Sequence, residues 1–357
     1  LECAAIATVG DGRLLQDENR ISVKYGLSRL ENTSSIGFRK LAANNIFFFK
    51  QKTAYEIGFV IGPCLNAGGR LQTAKLALSL LLSGDEEEAD RLATELKELN
   101  DMRKDMTEQG TEAARLQVDT YYSQDKVLVV YLPECHESLA GIIAGRLREH
   151  YQKPSIVLTK GEEAVKGSGR SIESYHMFQK LSEVKELMLK FGGHPLAAGL
   201  SLEEKDVENF RREINAVCTL TESDLEERVH IDVPMPVSHV SMDFVRELEL
   251  LEPFGNGNPK PVFAQKDMAF LSARILGKNG NAVRFTVLDD CGKRWEMMAF
   301  GDPAPLNAYM AARFGQEAVD RLYLGKTQDI RMSVTYYPSL NTYQGNTKLQ
   351  LVMQQYQ

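Results

Sequence analysis

The spacing of apolar residues changes twice along the chain, and these changes limit what it can fold into. Over Ala74–Tyr122, apolar residues recur every three or four positions with charges between them, which predicts one long connecting helix. The apolar stripe comprises Leu76, Leu80, Ala89, Leu92, Leu96, Leu99, Met102 and Met106. Asp85 and Glu88 have the spacing of a capping box. This helix is expected to separate the N-terminal part of the chain from the domains nearer the C-terminus.

After Lys126 the pattern becomes one of short apolar runs separated by helical segments. The predicted elements are strands at Val127–Tyr131 and Ser155–Thr159, and helices at Ser138–His150, Tyr175–Lys190 and Glu203–Val217. Two strands joined by a helix form a βαβ unit. The sequence therefore predicts an α/β domain that ends near Cys218.

A third pattern begins after the acidic linker Thr221–Arg228. Val283, Phe285 and Val287 alternate with polar residues, so they share one face of a strand. Several such segments within about 130 residues predict a small β-barrel or sandwich from Val229 onward, and the oligonucleotide-binding (OB) barrel is one common type. The predicted fold class is thus multidomain, α/β plus all-β.

Composition narrows the class of protein. The chain has 357 residues, of which 43% are hydrophobic and 25% charged, which is typical of a globular protein of two to three domains. Its apolar runs are too short to span a membrane. Five scattered cysteines without a CxxC pattern favour a reducing cytoplasm over a disulfide framework or a zinc site. A net charge of −7 still allows a local basic groove for nucleic acid.

Two segments near the N-terminus stand apart. The apolar run Leu1–Val9 leads into Gly10, Asp11 and Gly12, which indicates a buried strand or a helix end that presents Asp11 in a turn. Because the apolar run begins without any lead-in, we expect the chain to be part of a longer protein. The segment 46–57 fits neither helical nor strand periodicity and resembles the translation of a sequencing adapter, so we assign it no function.

Three glycine-rich stretches are candidate phosphate-binding loops. In Phe191–Gly199, Gly192 and Gly193 allow close approach of a ligand to the backbone, and His194 supplies a hydrogen-bond donor or a ligand. A helix C-cap followed by a packing corner explains the same residues equally well.

The second stretch, VKGSGRS, places cations and hydroxyls around two glycines, a mixture that suits a phosphodiester. Its polar residues are Lys166, Ser168, Arg170 and Ser171. An ordinary hairpin turn is the alternative. The third stretch, Gly62–Arg70, combines glycines with Asn66 and Arg70.

Two further groups of residues are candidates for binding. Cys135, His136 and Glu137 are adjacent in sequence and cannot form a catalytic triad, but His136 at a helix start can contact an anion. The barrel segment mixes cations and aromatic residues in the way a single-strand groove does, although most of the aromatic side chains are expected in its core. These residues are Arg274, Lys278, Arg284, Lys293 and Arg294, with Phe285, Trp295 and Phe300.

Six motifs, in this order, resemble the RecJ exonucleases of the DHH phosphoesterase superfamily, which degrade single-stranded DNA from the 5′ end. The motifs are ATVGD, IGPCLNAGGR, CHESLAGIIAGRL, KGSGRS, FGGHPLAAGL and LEPFGNGNPKPVF. The resemblance implies a DHH domain that holds two Mn²⁺ or Mg²⁺ ions, a long helix, a DHH-associated α/β domain and an OB barrel. On this basis residues 1–73 are the end of a DHH domain, 74–122 the connecting helix, 123–220 the DHH-associated domain and 221–357 the OB domain.

The same resemblance assigns roles to individual residues. Asp11 matches the last of the family's metal-binding aspartates, and the family's other metal motifs have no counterpart in this sequence. His136, Arg170 and His194 are implied as catalytic residues. The implied substrate-binding residues are Asn66, Arg70, Lys166, Ser168, Gly192, Gly193, Arg284 and Arg294. One carboxylate cannot hold two metal ions, so we expect this chain to be inactive alone.

The function implied is metal-dependent exonuclease activity on single-stranded DNA in repair and recombination, by a cytoplasmic monomer. Single-strand-binding protein and a helicase are the implied protein partners. The alternatives are a phosphodiesterase for short oligonucleotides or cyclic dinucleotides, a tRNA-editing hydrolase and a module that only binds nucleic acid. A C-terminal barrel favours the exonuclease, since the enzymes for short substrates manage without one.

Overall fold

The structure is a computed structural model that describes residues 1–30, 32–45, 54, 57–226, 228–277, 280–326, 329–343 and 345–357. These residues form two compact units. The α/β unit contains Glu2–Gly10 and Gly26–Arg228, and the barrel unit contains Leu1, Asp11–Tyr25 and Val229–Gln357. The segment 46–57 lies outside the described residues except for Ala54 and Ile57, and Lys278 also lies outside them.

In the described part of the chain, six α-helices precede the first strand. They are α1 (Glu2–Gly10), α2 (Asp17–Leu30), α3 (Ile36–Asn44), α4 (Gly62–Leu71), α5 (Lys75–Leu82) and α6 (Glu86–Gln117), with π-helical turns at Ile57–Ile61 and Val118–Tyr122. The run Leu1–Val9, for which a strand or a helix end was possible, is therefore helical. Among the described residues, no helix combines the length and apolar character needed to cross a membrane.

The amphipathic stretch forms two helices, so the prediction of one helix over Ala74–Tyr122 was wrong. The backbone at Ser83 is extended, and α6 begins after Asp85, whose carboxylate accepts a hydrogen bond from the Glu88 N–H at 2.8 Å. The Ser83 hydroxyl donates to the Glu88 carboxylate at 3.2 Å. Because these side chains cap a new helix start and Gly84 disfavours helix, the chain breaks here.

The buried stripe of α6 changes from apolar to polar along its length. Leu92, Leu96 and Leu99 are buried as predicted, whereas Met102, expected in the same stripe, is exposed. Beyond Leu99 the buried side chains include Asn100, together with Thr107 and Thr111. The second half of this helix therefore presents polar groups to its neighbours.

A five-stranded sheet forms the centre of the α/β unit, in the order β1-β2-β3-β5-β4. The strands are β1 (Leu128–Tyr131), β2 (Ser155–Lys160), β3 (Val165–Arg170), β4 (Lys190–His194) and β5 (Ala197–Leu202), and the helices are α7 (Ala140–Tyr151), α8 (Met177–Glu183) and α9 (Val207–Ala216). β1 and β2 are parallel and are joined through α7, which confirms the predicted βαβ unit. The other strand pairs are antiparallel.

Helices pack on both faces of this sheet. On one face Ile143 and Leu147 of α7 form a core with Val130 of β1 and Val157 of β2. On the opposite face α8 and α9 pack on all five strands. That larger core includes Ile156, Leu158, Val165, Met177, Leu181, Ala198, Leu200, Phe210 and Ile214.

None of the three glycine-rich stretches is a loop. The first forms β4 and β5 and the turn between them, the second forms β3, and the third lies in α4. The helix predicted to reach Lys190 ends at Glu183 as α8. The three loop predictions were wrong because they took glycine as a sign of a turn.

Packing explains several of these glycines better than loop conformation does. A Cβ at Gly68 would lie 3.1 Å from Leu96 Cδ2 in α6, and a Cβ at Gly167 would lie 2.5 Å from Leu158 Cδ2 in β2. Glycine within a strand commonly marks such a close approach. Gly68 and Gly167 are therefore explained by packing, which the sequence analysis had considered only for Phe191–Gly199.

The barrel unit has the strand order of a closed barrel. The strands are β6 (Val233–Pro234), β7 (Phe263–Leu276), β8 (Ala282–Leu288), β9 (Arg294–Phe300), β10 (Ile330–Tyr343) and β11 (Asn346–Tyr356), and the helices are α10 (Met242–Glu249), α11 (Ala304–Phe314) and α12 (Gln316–Tyr323). Pairing runs β7-β8-β9-β11-β10, and β10 pairs again with β7. Val283, Phe285 and Val287 are buried, which confirms the predicted alternation.

The motif LEPFGNGNP holds the segment after Asp11 within the barrel unit. The backbone carbonyl of Asn256 accepts a hydrogen bond from the Leu15 N–H at 2.6 Å. The side-chain amide of Asn256 donates to the Gly12 carbonyl, also at 2.6 Å. A Cβ at Gly255 would lie 2.6 Å from Leu15 Cδ1. This glycine motif therefore serves as a docking surface for residues 12–16.

Candidate nucleic-acid interface

Part of one sheet face in the α/β unit is open to a ligand. A cleft of about 450 Å³ lies between the start of α7 and the strands β3, β5 and β4. It opens beside the region where α7 covers β2 and β3. Its lining includes Glu137, Ser138, Thr159, Lys166, Ser168, Lys190, Phe191, Gly199 and Ser201.

Strand register brings most of the residues predicted in the α/β unit onto this face. Residues directly opposite in neighbouring strands, and residues two apart in one strand, point to the same side of a sheet. The rows are Lys166–Ser201–Lys190, Ser168–Gly199–Gly192 and Arg170–Ala197–His194. The sheet therefore places two lysines, one arginine, two hydroxyls and one histidine on one surface.

Glycine and alanine make this surface flat between the polar side chains. A Cβ at Gly192 would meet no atom within 4 Å, so its backbone is open to a ligand. Gly193 falls on the opposite face and has a φ of +155°, and a Cβ there would lie 2.4 Å from the Ala197 carbonyl oxygen. The hairpin itself therefore requires Gly193, whereas Gly192 leaves an exposed backbone on the same sheet face as Ser168.

Arg170 is held at the end of β3 by its own strand. Its Nη1 donates to Ser168 Oγ at 3.2 Å and to the Gly169 carbonyl at 2.8 Å. Burial lowers the pKa of Arg170, and repulsion from Arg70 and Arg148 lowers it further. The charge of Arg170 is thus disfavoured both by its burial and by its cationic neighbours.

Arg70 and His136 both contact Ser138, which lines the cleft, and this places them at its rim. Arg70 Nη1 donates to the Ser138 carbonyl at 2.8 Å. His136 Nδ1 lies 2.8 Å from Ser138 Oγ and accepts from the Ser138 N–H at 3.3 Å. Because Nδ1 acts as an acceptor, the neutral ring carries its proton on Nε2, which leaves a donor facing away from Ser138.

The sequence prediction missed Arg103, Arg146 and Arg148. Burial lowers the pKa of Arg103, and repulsion from Arg70 and Arg146 lowers it further. These repulsions link five arginines from α4, α6, α7 and β3, which we name the arginine cluster: Arg70, Arg103, Arg146, Arg148 and Arg170. In the described part of the chain, Arg148 alone among them has a carboxylate partner, Glu149 at 2.8 Å.

A buried amide holds Arg103 in this cluster. Asn100 is only 1% exposed, and its Oδ1 accepts from Arg103 Nε at 3.1 Å. Its Nδ2 donates to Cys64 Sγ in α4 at 3.2 Å. The sequence signal for this arrangement is the polar residue one position after Leu99, where the apolar stripe of α6 ends.

Lys166 already has a partner across the mouth of the cleft. Its Nζ lies 2.6 Å from Glu137 Oε2, and this contact with the carboxylate raises the pKa of Lys166. Both side chains are about half exposed. A phosphate that approaches Lys166 must therefore compete with Glu137.

Of the remaining predicted residues of the α/β unit, Ser171 is buried and its hydroxyl donates to the Tyr175 carbonyl, whereas His194 and Asn66 are exposed. His194 Nδ1 accepts from the Leu196 N–H at 3.4 Å, which places the ring at the tip of the β4–β5 hairpin. Asn66 lies on the exposed side of α4. Both side chains are accessible, but only His194 belongs to the face described above.

The barrel unit separates its aromatic residues into core and surface. Phe285 and Trp295 are buried, whereas Phe300 is 66% exposed. Phe300 and Ala282 are paired across β9 and β8, and Arg284 is two residues from Ala282 on the same outer face. Arg284 pairs with Arg274 of β7, and Arg294 is exposed at the start of β9. Phe300 is therefore the aromatic residue that remains available for stacking on this face.

The residues present do not fit a two-metal site. Asp11 is exposed in the turn after α1 and belongs to the barrel unit. Among the described residues, the one group of three possible ligands within 4.8 Å is Asp289, Asp290 and Cys291. There the Asp289 carboxylate already accepts bonds from the Cys291 and Lys293 N–H groups and from Trp295 Nε1. This group is a hydrogen-bonded turn between β8 and β9.

Comparison with family models gives two matches. The DHHA1 domain model matches residues 124–220, and the RecJ OB domain model matches residues 231–355.

Curated relatives with similar sequences are single-stranded-DNA-specific exonucleases named RecJ. The protein from Bacillus subtilis is 35% identical over 297 residues, which cover 81% of this chain and 37% of the relative. The protein from Escherichia coli is 35% identical over 291 residues, which cover 78% of this chain and 50% of the relative. The chain thus spans half or less of the length of these two relatives.

Solved structures with the same fold include RecJ from Thermus thermophilus. The complex with Mg²⁺ has a TM-score of 0.80 and 27% identity, and the match covers 99% of this chain and 51% of that one. The complex with Mn²⁺ has a TM-score of 0.78 and 27% identity, and the match covers 100% of this chain and 49% of that one.

Proposed function

The chain is a RecJ homologue with a DHHA1 domain and a RecJ OB domain, and on that premise we propose that it is the strand-binding part of a RecJ-type exonuclease. The observation that carries this proposal is the open sheet face, on which strand register places Lys166, Lys190 and Arg170 together, with Arg70 hydrogen-bonded to Ser138 beside it. Such a concentration of cations destabilises the folded protein unless a ligand neutralises it. A polyanion is the ligand that this chemistry favours.

The shape of the face favours a nucleic acid backbone over a small anion. Lys166, Ser168 and Arg170 follow one another along β3, and His194 and the bare backbone of Gly192 lie on β4, with β5 between the two strands. Arginine, lysine, hydroxyl and backbone donors are the groups that contact phosphate and sugar. We infer that successive phosphates of one strand lie along this face, with Arg70 and His136 at its rim.

The barrel adds a surface for bases. Phe300 is exposed on the face that carries Arg274 and Arg284. Stacking on an aromatic ring next to cations is how single strands bind without sequence preference. This surface favours the exonuclease over the alternatives that act on cyclic dinucleotides or short oligonucleotides.

Hydrolysis itself would need metal ions, which generate a hydroxide and stabilise the leaving oxygen in two-metal enzymes. The structures of RecJ with Mg²⁺ and Mn²⁺ support divalent metal use in the family. Asp11 is the residue that matches the family's metal motifs, and among the described residues it belongs to no group of three possible ligands, so we assign this chain strand binding and no chemical step. Roles in repair and recombination, the cytoplasmic location, the monomeric state, and contacts with single-strand-binding protein and a helicase stay predictions.

Fluorescence anisotropy with a labelled single strand tests the proposal. The chain should bind this strand at low salt. The logarithm of the binding constant should fall linearly with the logarithm of the salt concentration. Unlabelled single strand should compete better than duplex DNA or a cyclic dinucleotide. Absence of binding at low salt, or stronger competition by the cyclic dinucleotide, would contradict the proposal.

Replacing Glu137 with Gln should strengthen binding, because it frees Lys166 for a phosphate. We expect several-fold higher affinity at low salt and a salt slope steeper by about 0.7, the value for one added contact with a single strand. Glu213→Gln is the matched control, since it makes the same charge change on α9, on the opposite side of the sheet. Equal gains in both variants would mean that net charge alone explains the effect.

A further inference from the structure

Gly141, in the first turn of α7, faces the guanidinium group of Arg170. A Cβ at this position would lie 2.7 Å from Arg170 Nη2, 3.3 Å from Arg170 Cζ and 2.9 Å from Ser168 Oγ. All three distances are shorter than ordinary van der Waals contacts. The Arg170 and Ser168 side chains therefore occupy the space that any other residue at position 141 would need.

The backbone conformation of Gly141 does not require glycine. It lies inside α7, where every residue type except proline is tolerated and glycine is less favourable than alanine by about 1 kcal/mol. Gly145, one turn later in the same helix, would have no atom within 4 Å of an added Cβ. The difference between the two glycines is that Arg170 and Ser168 pack against Gly141, whereas no atom packs against Gly145.

The atoms that an added methyl group would displace are at the ends of side chains. Arg170 Nη1 is held by Ser168 Oγ and the Gly169 carbonyl, whereas its hydrogen bonds in the described structure do not use Nη2. Moving the guanidinium would break the contact with Ser168 but would leave β3 and α7 intact. Substitution at Gly141 should therefore change the position of Arg170 without unfolding the domain.

We propose that Gly141 is a positioning residue, whose missing side chain lets Arg170 and Ser168 lie against the start of α7 and face the phosphate backbone. This proposal rests on the proposed function for its binding readout. Gly141 contacts no ligand itself and acts only through Arg170 and Ser168.

Gly141→Ala, Gly145→Ala, Arg170→Gln and the double variant Gly141→Ala/Arg170→Gln test this role. Crystal structures should show the Arg170 guanidinium displaced in Gly141→Ala and unmoved in Gly145→Ala. Gly141→Ala should weaken binding of a labelled single strand roughly tenfold, as Arg170→Gln does, because one charge-assisted contact is lost. In the Arg170→Gln background, Gly141→Ala should have little further effect.

Thermal unfolding separates this role from a structural one. The melting temperature of Gly141→Ala should equal or exceed that of the unchanged protein. An unmoved guanidinium, a lower melting temperature, or a full additional loss of binding in the double variant would overturn the positioning role. A displaced guanidinium in Gly141→Ala together with unchanged binding in Arg170→Gln would instead sustain the positioning role and contradict phosphate binding by Arg170.

Discussion

The purified chain is expected to release no nucleotides from 5′-ended single-stranded DNA, in either Mn²⁺ or Mg²⁺. The reason is the number of ligands, because two-metal catalysis needs several carboxylate or histidine groups around the ions. Among the described residues, Asp11 does not belong to a group of three possible ligands. Release of a 5′ label, followed over time on a gel, measures this result.

RecJ from Thermus thermophilus is the positive control in the same buffers. The same preparations of this chain should bind the strand in anisotropy experiments, so that loss of activity cannot be attributed to misfolding. Metal-dependent release that disappears in Asp11→Ala would contradict this prediction, since the chain would then assemble its own metal site.

Replacing Arg70 and Arg170 together with Gln is expected to weaken single-strand binding about a hundredfold at low salt, because each charge-assisted phosphate contact contributes roughly tenfold. The dependence of binding on salt should become weaker: the magnitude of the log–log slope should decrease by about 1.4, twice the value of about 0.7 for one contact with a single strand. The same variant should unfold at the same or a higher temperature, because like charges at Arg70, Arg148 and Arg170 repel one another in the folded state. Anisotropy and thermal unfolding measure the two effects.

Arg212→Gln is the matched control for this pair. Arg212 is exposed on α9, on the opposite side of the sheet, where its guanidinium contacts Asn209. Its replacement should leave affinity nearly unchanged. If the Arg70 and Arg170 variant instead lost stability and binding in parallel, the arginines would be structural and the face would not be a phosphate site.

Sequence reasoning identified residues of the candidate site without identifying the structure that carries them. Lys166, Ser168, Arg170 and His194 were singled out as members of loops, yet they lie on one sheet face because β3, β5 and β4 pair in register. Arg103 was missed because in the sequence it is one charge among many on α6. Its proximity to Arg70 depends on the packing of α4 against α6.

The sequence by itself determined the order of the parts: the amphipathic helices, the βαβ unit and the alternating strands of the barrel. These features follow from local periodicity, because a helix or strand buries every residue that its own geometry turns toward the core. Only the tertiary structure decided that the glycines of Gly62–Leu71, Val165–Arg170 and Lys190–Leu202 belong to a helix and strands. A glycine that is needed to let Leu96 or Arg170 approach looks the same in sequence as one that is needed for a turn. The difference lies in atoms distant along the chain, which local sequence patterns do not record.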